Sequence, residues 1–116
     1  MKVLICGSRH FYDWRLLEQT FYEFRKENNV TEIITGEAAG ADSLGKQYAI
    51  YESIPYRGFP ANWELHGKKA GPIRNRSMVE ERPDMVLAFL AEGSKGTENM
   101  IEQATQAGVP VKVINI

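Results

Sequence analysis

The sequence predicts an α/β fold: a three-layer sandwich with a mainly parallel five-stranded sheet and helices on both faces. Three observations carry this. Short, almost wholly apolar runs recur, as at 2–6 and 85–90, which is how strands buried on both faces read. Amphipathic stretches of helical period separate them, so strands and helices alternate. Glycines, arginines and unusual loop residues follow the strands, while the turns leading back into strands are short and plain. A parallel sheet places every strand-to-helix loop on its carboxyl edge, so the third observation also predicts where a site lies.

Residues 2–6 (Lys-Val-Leu-Ile-Cys) make the first strand, stopped by Gly7. After Gly7-Ser8-Arg9, Asp13 is placed to cap a helix over 13–27, in which Leu16, Leu17, Phe21 and Phe24 recur at helical spacing. Residues 32–35 (Glu-Ile-Ile-Thr) are the second strand. The loop Gly36-Glu37-Ala38-Ala39-Gly40-Ala41-Asp42 leads into a helix over 41–52, with Leu44, Tyr48, Ala49 and Tyr51 facing inward and Asp42 as a candidate cap. Residues 54–59 are a weaker strand, with Pro55 at its start where a missing N–H is tolerated. Residues 60–71 lack periodicity and read as the longest irregular stretch, a kind that compact domains usually reserve for function. Pro72 suits the first turn of a helix that runs to 81, with Ile73, Met78 and Val79 on one side. Residues 85–90 are the clearest buried strand. A helix over 97–107 ends at Gly108, a good residue just past a helix end, and 111–114 form the last strand.

A chain of 116 residues is read as a single domain spanning 1–116. The 14 basic and 15 acidic side chains leave a net charge of −1, which gives no support for nucleic-acid or membrane-surface binding. The lone Cys6 excludes an intrachain disulfide and a cysteine-rich metal site. His10 and His66 have no partners at metal-ligand spacing and are read as surface residues, so neither a metal nor a cofactor is expected. No apolar run approaches the ~20 residues that cross a bilayer, and the expectation is a cytoplasmic protein.

The candidate site gathers four loops. Arg74, Asn75 and Arg76 are placed at the head of one helix, and Gly93-Ser94-Lys95-Gly96-Thr97 at the head of the next. Helix N-termini offer unpaired N–H groups and partial positive charge, which suit a phosphate or carboxylate. Gly7, Ser8 and Arg9 come from the first loop; Gly36, Glu37, Ala38, Gly40 and Asp42 come from the second. Arg74 and Arg76, two apart on a helix, point to different sides. Trp63 is read either as a base-stacking surface or as part of the core. Ser8 lacks the small-residue elbow of a nucleophilic serine, and no Gly-x-Gly-x-x-Gly follows the first strand.

Gly7-Ser8-Arg9, the 36–42 loop, Pro60-Ala61-Asn62-Trp63, His66-Gly67-Lys68, Ala70-Gly71-Pro72-Ile73-Arg74-Asn75-Arg76 and Gly96-Thr97 together resemble the YspA-type branch of the SLOG superfamily, small Rossmann-like proteins. The superfamily includes the Lonely Guy phosphoribohydrolases, the Smf/DprA proteins and sensor domains for NAD-derived signals. The resemblance implies a nucleotide or nucleotide-derived ligand, with phosphate on the 93–97 turn and base or sugar near the 36–42 loop. It also implies a homo-oligomer. Gly96-Thr97 and Arg74 match positions of the phosphoribohydrolase motif. Its glutamate falls on Met100, and Glu92-Gly93-Ser94 replaces its Pro-Gly-Gly. Both departures count against hydrolysis.

The leading expectation is therefore a nucleotide-binding module that senses or sequesters its ligand. The alternative is an N-glycosidase, with Glu37, Asp42 and Glu98, besides Glu92, as its candidate carboxylates. Single-stranded DNA binding comes last, because it needs many cationic contacts.

Overall fold

The computed structural model describes residues 1–116. Five strands, β1 (Lys2–Gly7), β2 (Glu32–Thr35), β3 (Tyr56–Gly58), β4 (Met85–Leu90) and β5 (Val111–Asn115), form one sheet of order β3-β2-β1-β4-β5. All neighbouring pairs are parallel. The helices are α1 (Trp14–Arg25), α2 (Ala41–Tyr51), α3 (Trp63–His66), α4 (Ala70–Glu80) and α5 (Lys95–Gln106). The expected three-layer sandwich is the observed one.

Alternation along the central strands sorts the core into two layers. Val3, Ile5, Ile33, Leu87 and Phe89 point to one face and meet Leu17, Phe21 and Phe24 of α1 and Leu44 and Tyr48 of α2. Leu4, Cys6, Ile34, Val86 and Ala88 point to the other and meet Met78 and Val79 of α4 and Met100 and Ala104 of α5. The first apolar run is thus continuous because both of its faces are covered. Asp13 caps α1 as expected, its Oδ1 accepting from Leu16 N at 3.1 Å.

Several boundaries differ from the sequence reading. The stretch 60–71 is not irregular throughout. Asn62 Oδ1 accepts from Leu65 N at 3.1 Å and caps the single turn of α3, a 3-10 turn Gly67–Lys69 follows, and α4 begins at Ala70. One helical turn with no buried side chain leaves no periodicity to read. Pro72 is the third residue of α4 and so lies in its first turn as expected, where the first four N–H groups lack intrahelical partners. The buried stripe of α4 is Gly71, Asn75, Met78 and Val79, so Ile73 lies off it and is exposed. Tyr51, expected inward, is 69% exposed at the end of α2 and meets Trp14 edge-on. The last helix starts at Lys95, two residues early, which puts Gly96 and Thr97 inside its first turn.

Candidate functional site

The strand order reverses direction between β1 and β4, so the loops that follow these two strands diverge and leave a crevice at the carboxyl edge. The crevice is an open cleft of about 920 Å³ to which all four strand-to-helix loops and α4 contribute. Its floor is rigid. Ser8 N donates to Phe89 O at 3.0 Å, tying the β1 loop to β4, and Phe11 stacks on Phe89 with centroids 4.8 Å apart. Ser8 O accepts from Ala41 N at 3.1 Å, which pins the start of α2 beneath the same loop. Gly40 makes that approach possible: its φ is 75°, and a Cβ there would strike Ser8 O and the Arg9 backbone.

Gly36 is the hub of the second loop. Its N–H donates to Asp42 Oδ2 at 3.0 Å, and the same oxygen accepts from Ala38 N at 3.2 Å. Its carbonyl accepts from Arg74 Nη1 at 2.6 Å. A Cβ at Gly36 would lie 2.5 Å from Arg74 Nη1, so glycine is what lets the guanidinium settle over this peptide. Asp42 is the second residue of α2 and does not cap it; Gly40 occupies the cap position. The carboxylate instead folds back to organise the loop before the helix. Burial pushes its pKa up to about 6, partly offset by the two amide donors and the Arg74 charge.

Arg74 is half-buried, five residues into α4 and not at its head. Its Nε donates to Asn75 Oδ1 at 2.9 Å. Buried Asn75 in turn donates to Gly96 O at 3.3 Å and Asn99 Oδ1 at 3.0 Å, so one amide links the guanidinium to the first turn of α5. Burial lowers the Arg74 pKa, and the nearby Asp42 carboxylate acts in the opposite direction. Arg74, Arg9 and Lys95 all line the cleft, and none forms an ion pair. The Gly96 and Thr97 amides have no backbone acceptor and sit at the positive end of the α5 dipole. Ser94 Oγ and Thr97 Oγ1 share a 2.7 Å hydrogen bond beside them.

Of the residues expected from sequence, Gly7, Ser8, Arg9, Gly36, Glu37, Ala38, Asp42, Arg74, Asn75, Gly93, Ser94, Lys95, Gly96 and Thr97 line the cleft. Gly40 lies beneath its floor. Arg76 is on the far side of α4, paired with Glu80 at 3.5 Å, and Glu98 is exposed outside the cleft. Glu37 lines the wall with φ 58°, held there because its Oε1 accepts from Tyr56 OH at 2.7 Å and its Oε2 lies 3.6 Å from Lys46 Nζ. Trp63 is not a core residue: it is 51% exposed and lines the cleft. His10, read as a plain surface residue, is exposed but also lines the cleft. No group of His, Cys, Asp or Glu side chains is placed to hold a metal, and no helix is long and apolar enough to cross a membrane.

Comparison with known proteins agrees with this architecture. The YAcAr model, described as the YspA, cpYpsA-related SLOG family, matches residues 1–66, from β1 through α3. The Gene 61 protein of Mycobacterium phage D29 is 36% identical over 121 residues, covering 95% of this chain and 93% of its own length. No solved structure matches. With a Rossmann-like sheet and a family match over more than half its length, the chain belongs to the YspA, cpYpsA-related SLOG family.

Proposed function

We propose that the cleft binds a nucleotide or nucleotide-derived small molecule through its phosphate, and that the module works by binding and not by turnover. The observation that carries this reading is the set of three cations that form no ion pair, Arg9, Arg74 and Lys95, lining the same cleft as the first turn of α5 with its free amides. A phosphate there accepts charge-assisted hydrogen bonds from backbone and guanidinium together. Arg74 is held in place by Gly36 O and Asn75 Oδ1, so little ordering is left for binding to impose.

The carboxylates favour binding over hydrolysis. Asp42 spends one oxygen on two loop amides, Glu37 is tied to Tyr56 and Lys46, and Glu98 faces away. The position of the phosphoribohydrolase glutamate is Met100, wholly buried in the core. These ties and the loss of the motif glutamate favour binding, and Asp42 Oδ1 and the cleft-lining Glu92 are the carboxylate oxygens left on which acid–base chemistry is to be tested. A thermal-shift screen of nucleotides and NAD-derived compounds, followed by mass spectrometry of each hit, tests the reading. Ligand at 100 times its Kd is expected to stabilise the fold by roughly 2.7 kcal/mol and to be recovered intact. Recovery as free base plus sugar phosphate contradicts the binding reading.

A further inference from the structure

Trp63 is a large side chain that the fold covers only in part. It is 51% exposed, stands on the single turn of α3, and contributes to the cleft wall. The ring rests over α4 at Gly71, where a Cβ would lie 3.5 Å from Trp63 Cη2, so the ring already touches helix at the one place where no side chain intervenes. The Asn62 cap fixes the turn that carries it. An exposed indole in a polar cleft costs apolar hydration and lies where the protein core gains nothing from it.

Its location within the cleft is informative. Trp63 follows β3, whereas the α5 amides follow β4, and these strands lie three spacings apart in the sheet, about 14 Å. The α5 amides and the indole are therefore carried by loops of different strands. A bare phosphate or a phosphorylated sugar held at α5 leaves the aromatic end empty. A ligand with a planar ring system at one end and a phosphate at the other occupies both.

From this arrangement we infer that Trp63 is the base-stacking platform of the cleft and that the ligand class is a nucleoside phosphate, not a sugar phosphate. The inference rests on the phosphate reading above and adds the second contact. Stacking accepts any base, since every base has a π-face, so Trp63 sets ligand class without choosing among bases.

The probes are the four nucleoside 5′-monophosphates and ribose 5-phosphate, titrated against wild type, Trp63→Ala and Trp63→Phe. The expected result is a loss of nucleotide affinity in Trp63→Ala of roughly 5- to 150-fold, the range for removing one stacked base contact. Trp63→Phe recovers most of it, and ribose 5-phosphate binds all three proteins equally. Equal nucleotide affinity in wild type and Trp63→Ala overturns the inference, as does an equal loss for nucleotides and ribose 5-phosphate. Exposed Leu65 lies on the same turn as Trp63 and exposed Ile73 on α4, so sedimentation is run on the same samples. A change in assembly state without a change in nucleotide affinity assigns the ring to an interface between copies and also overturns it. If wild type binds ribose 5-phosphate but gains nothing from a base, the stacking inference alone fails. If it binds neither, the phosphate reading fails with it.

Discussion

The two edges of the sheet both carry charge and use it in opposite ways. At the amino edge the charges close on one another. Arg57 lies 3.0 Å from Glu32 and 2.6 Å from Glu81, and Lys2 Nζ lies 3.9 Å from both carboxylates. At the carboxyl edge Arg9, Arg74 and Lys95 have no carboxylate partner, and Arg74 is half-buried in that state. A half-buried cation that hydrogen-bonds only a carbonyl and a side-chain amide, with the Asp42 carboxylate near but not ion-paired to it, leaves room for an anion from solution. The contrast teaches that number of charges does not set the proposed site apart in this fold; what sets it apart is which cations the chain leaves without an ion pair.

Substitutions can break or sharpen that contrast. The largest effect is expected from Gly40→Ala, beneath the cleft floor. The new Cβ would meet Ser8 O at a φ of 75°, so the β1 and β2 loops cannot both keep their places. The expected loss is about 3 kcal/mol or more by urea denaturation, combining backbone strain with overpacking.

Next is Asp42, whose pKa is raised from 3.8 to about 6 by burial. Between those values the folded chain keeps a proton that the unfolded chain has released. The contribution to stability is therefore fully present below about pH 4, is lost as pH rises through 4–6, and is absent above. Asp42→Asn retains an acceptor for the Gly36 and Ala38 amides and cannot titrate. The wild-type and variant stabilities are expected to diverge across pH 4–6 by an amount of the order of 3 kcal/mol, with the variant the less pH-dependent. Parallel stability curves across that window would show that Asp42 is not held as described.

Arg57→Ala should do least. Its pairs at the amino edge are exposed, and exposed ion pairs contribute little. A shift of no more than a few degrees in Tm is expected, with ligand affinity unchanged. A substantial loss of affinity would mean that the two edges are coupled through β3.

The sequence made the sheet legible and the site only partly so. β1 and β4 read as buried strands because both faces are covered, and α1 read as a helix because Leu17, Phe21 and Phe24 face one layer. Placing the loops on one edge required only that the strands be parallel. The start of α4 was obscure because its buried stripe is made of glycine and asparagine at 71 and 75, which carry no hydrophobic signal. Arg74 and Arg76 could be separated by helical spacing, but which of them faces the cleft depends on Gly36, 38 positions away. The direction of Trp63 was equally hidden, because an aromatic after a proline-containing loop serves core and cleft alike. These are long-range matters, and no local pattern encodes them.

The central claim is that the half-buried Arg74 guanidinium at the carboxyl edge, which forms no ion pair within the chain, binds a phosphate. Isothermal titration of wild type and Arg74→Ala with the strongest nucleotide hit tests it most directly. The account predicts saturable binding to wild type and an affinity roughly 10- to 100-fold lower in the variant, the scale of a hydrogen bond to a charged group. Equal affinity in the two proteins would contradict it.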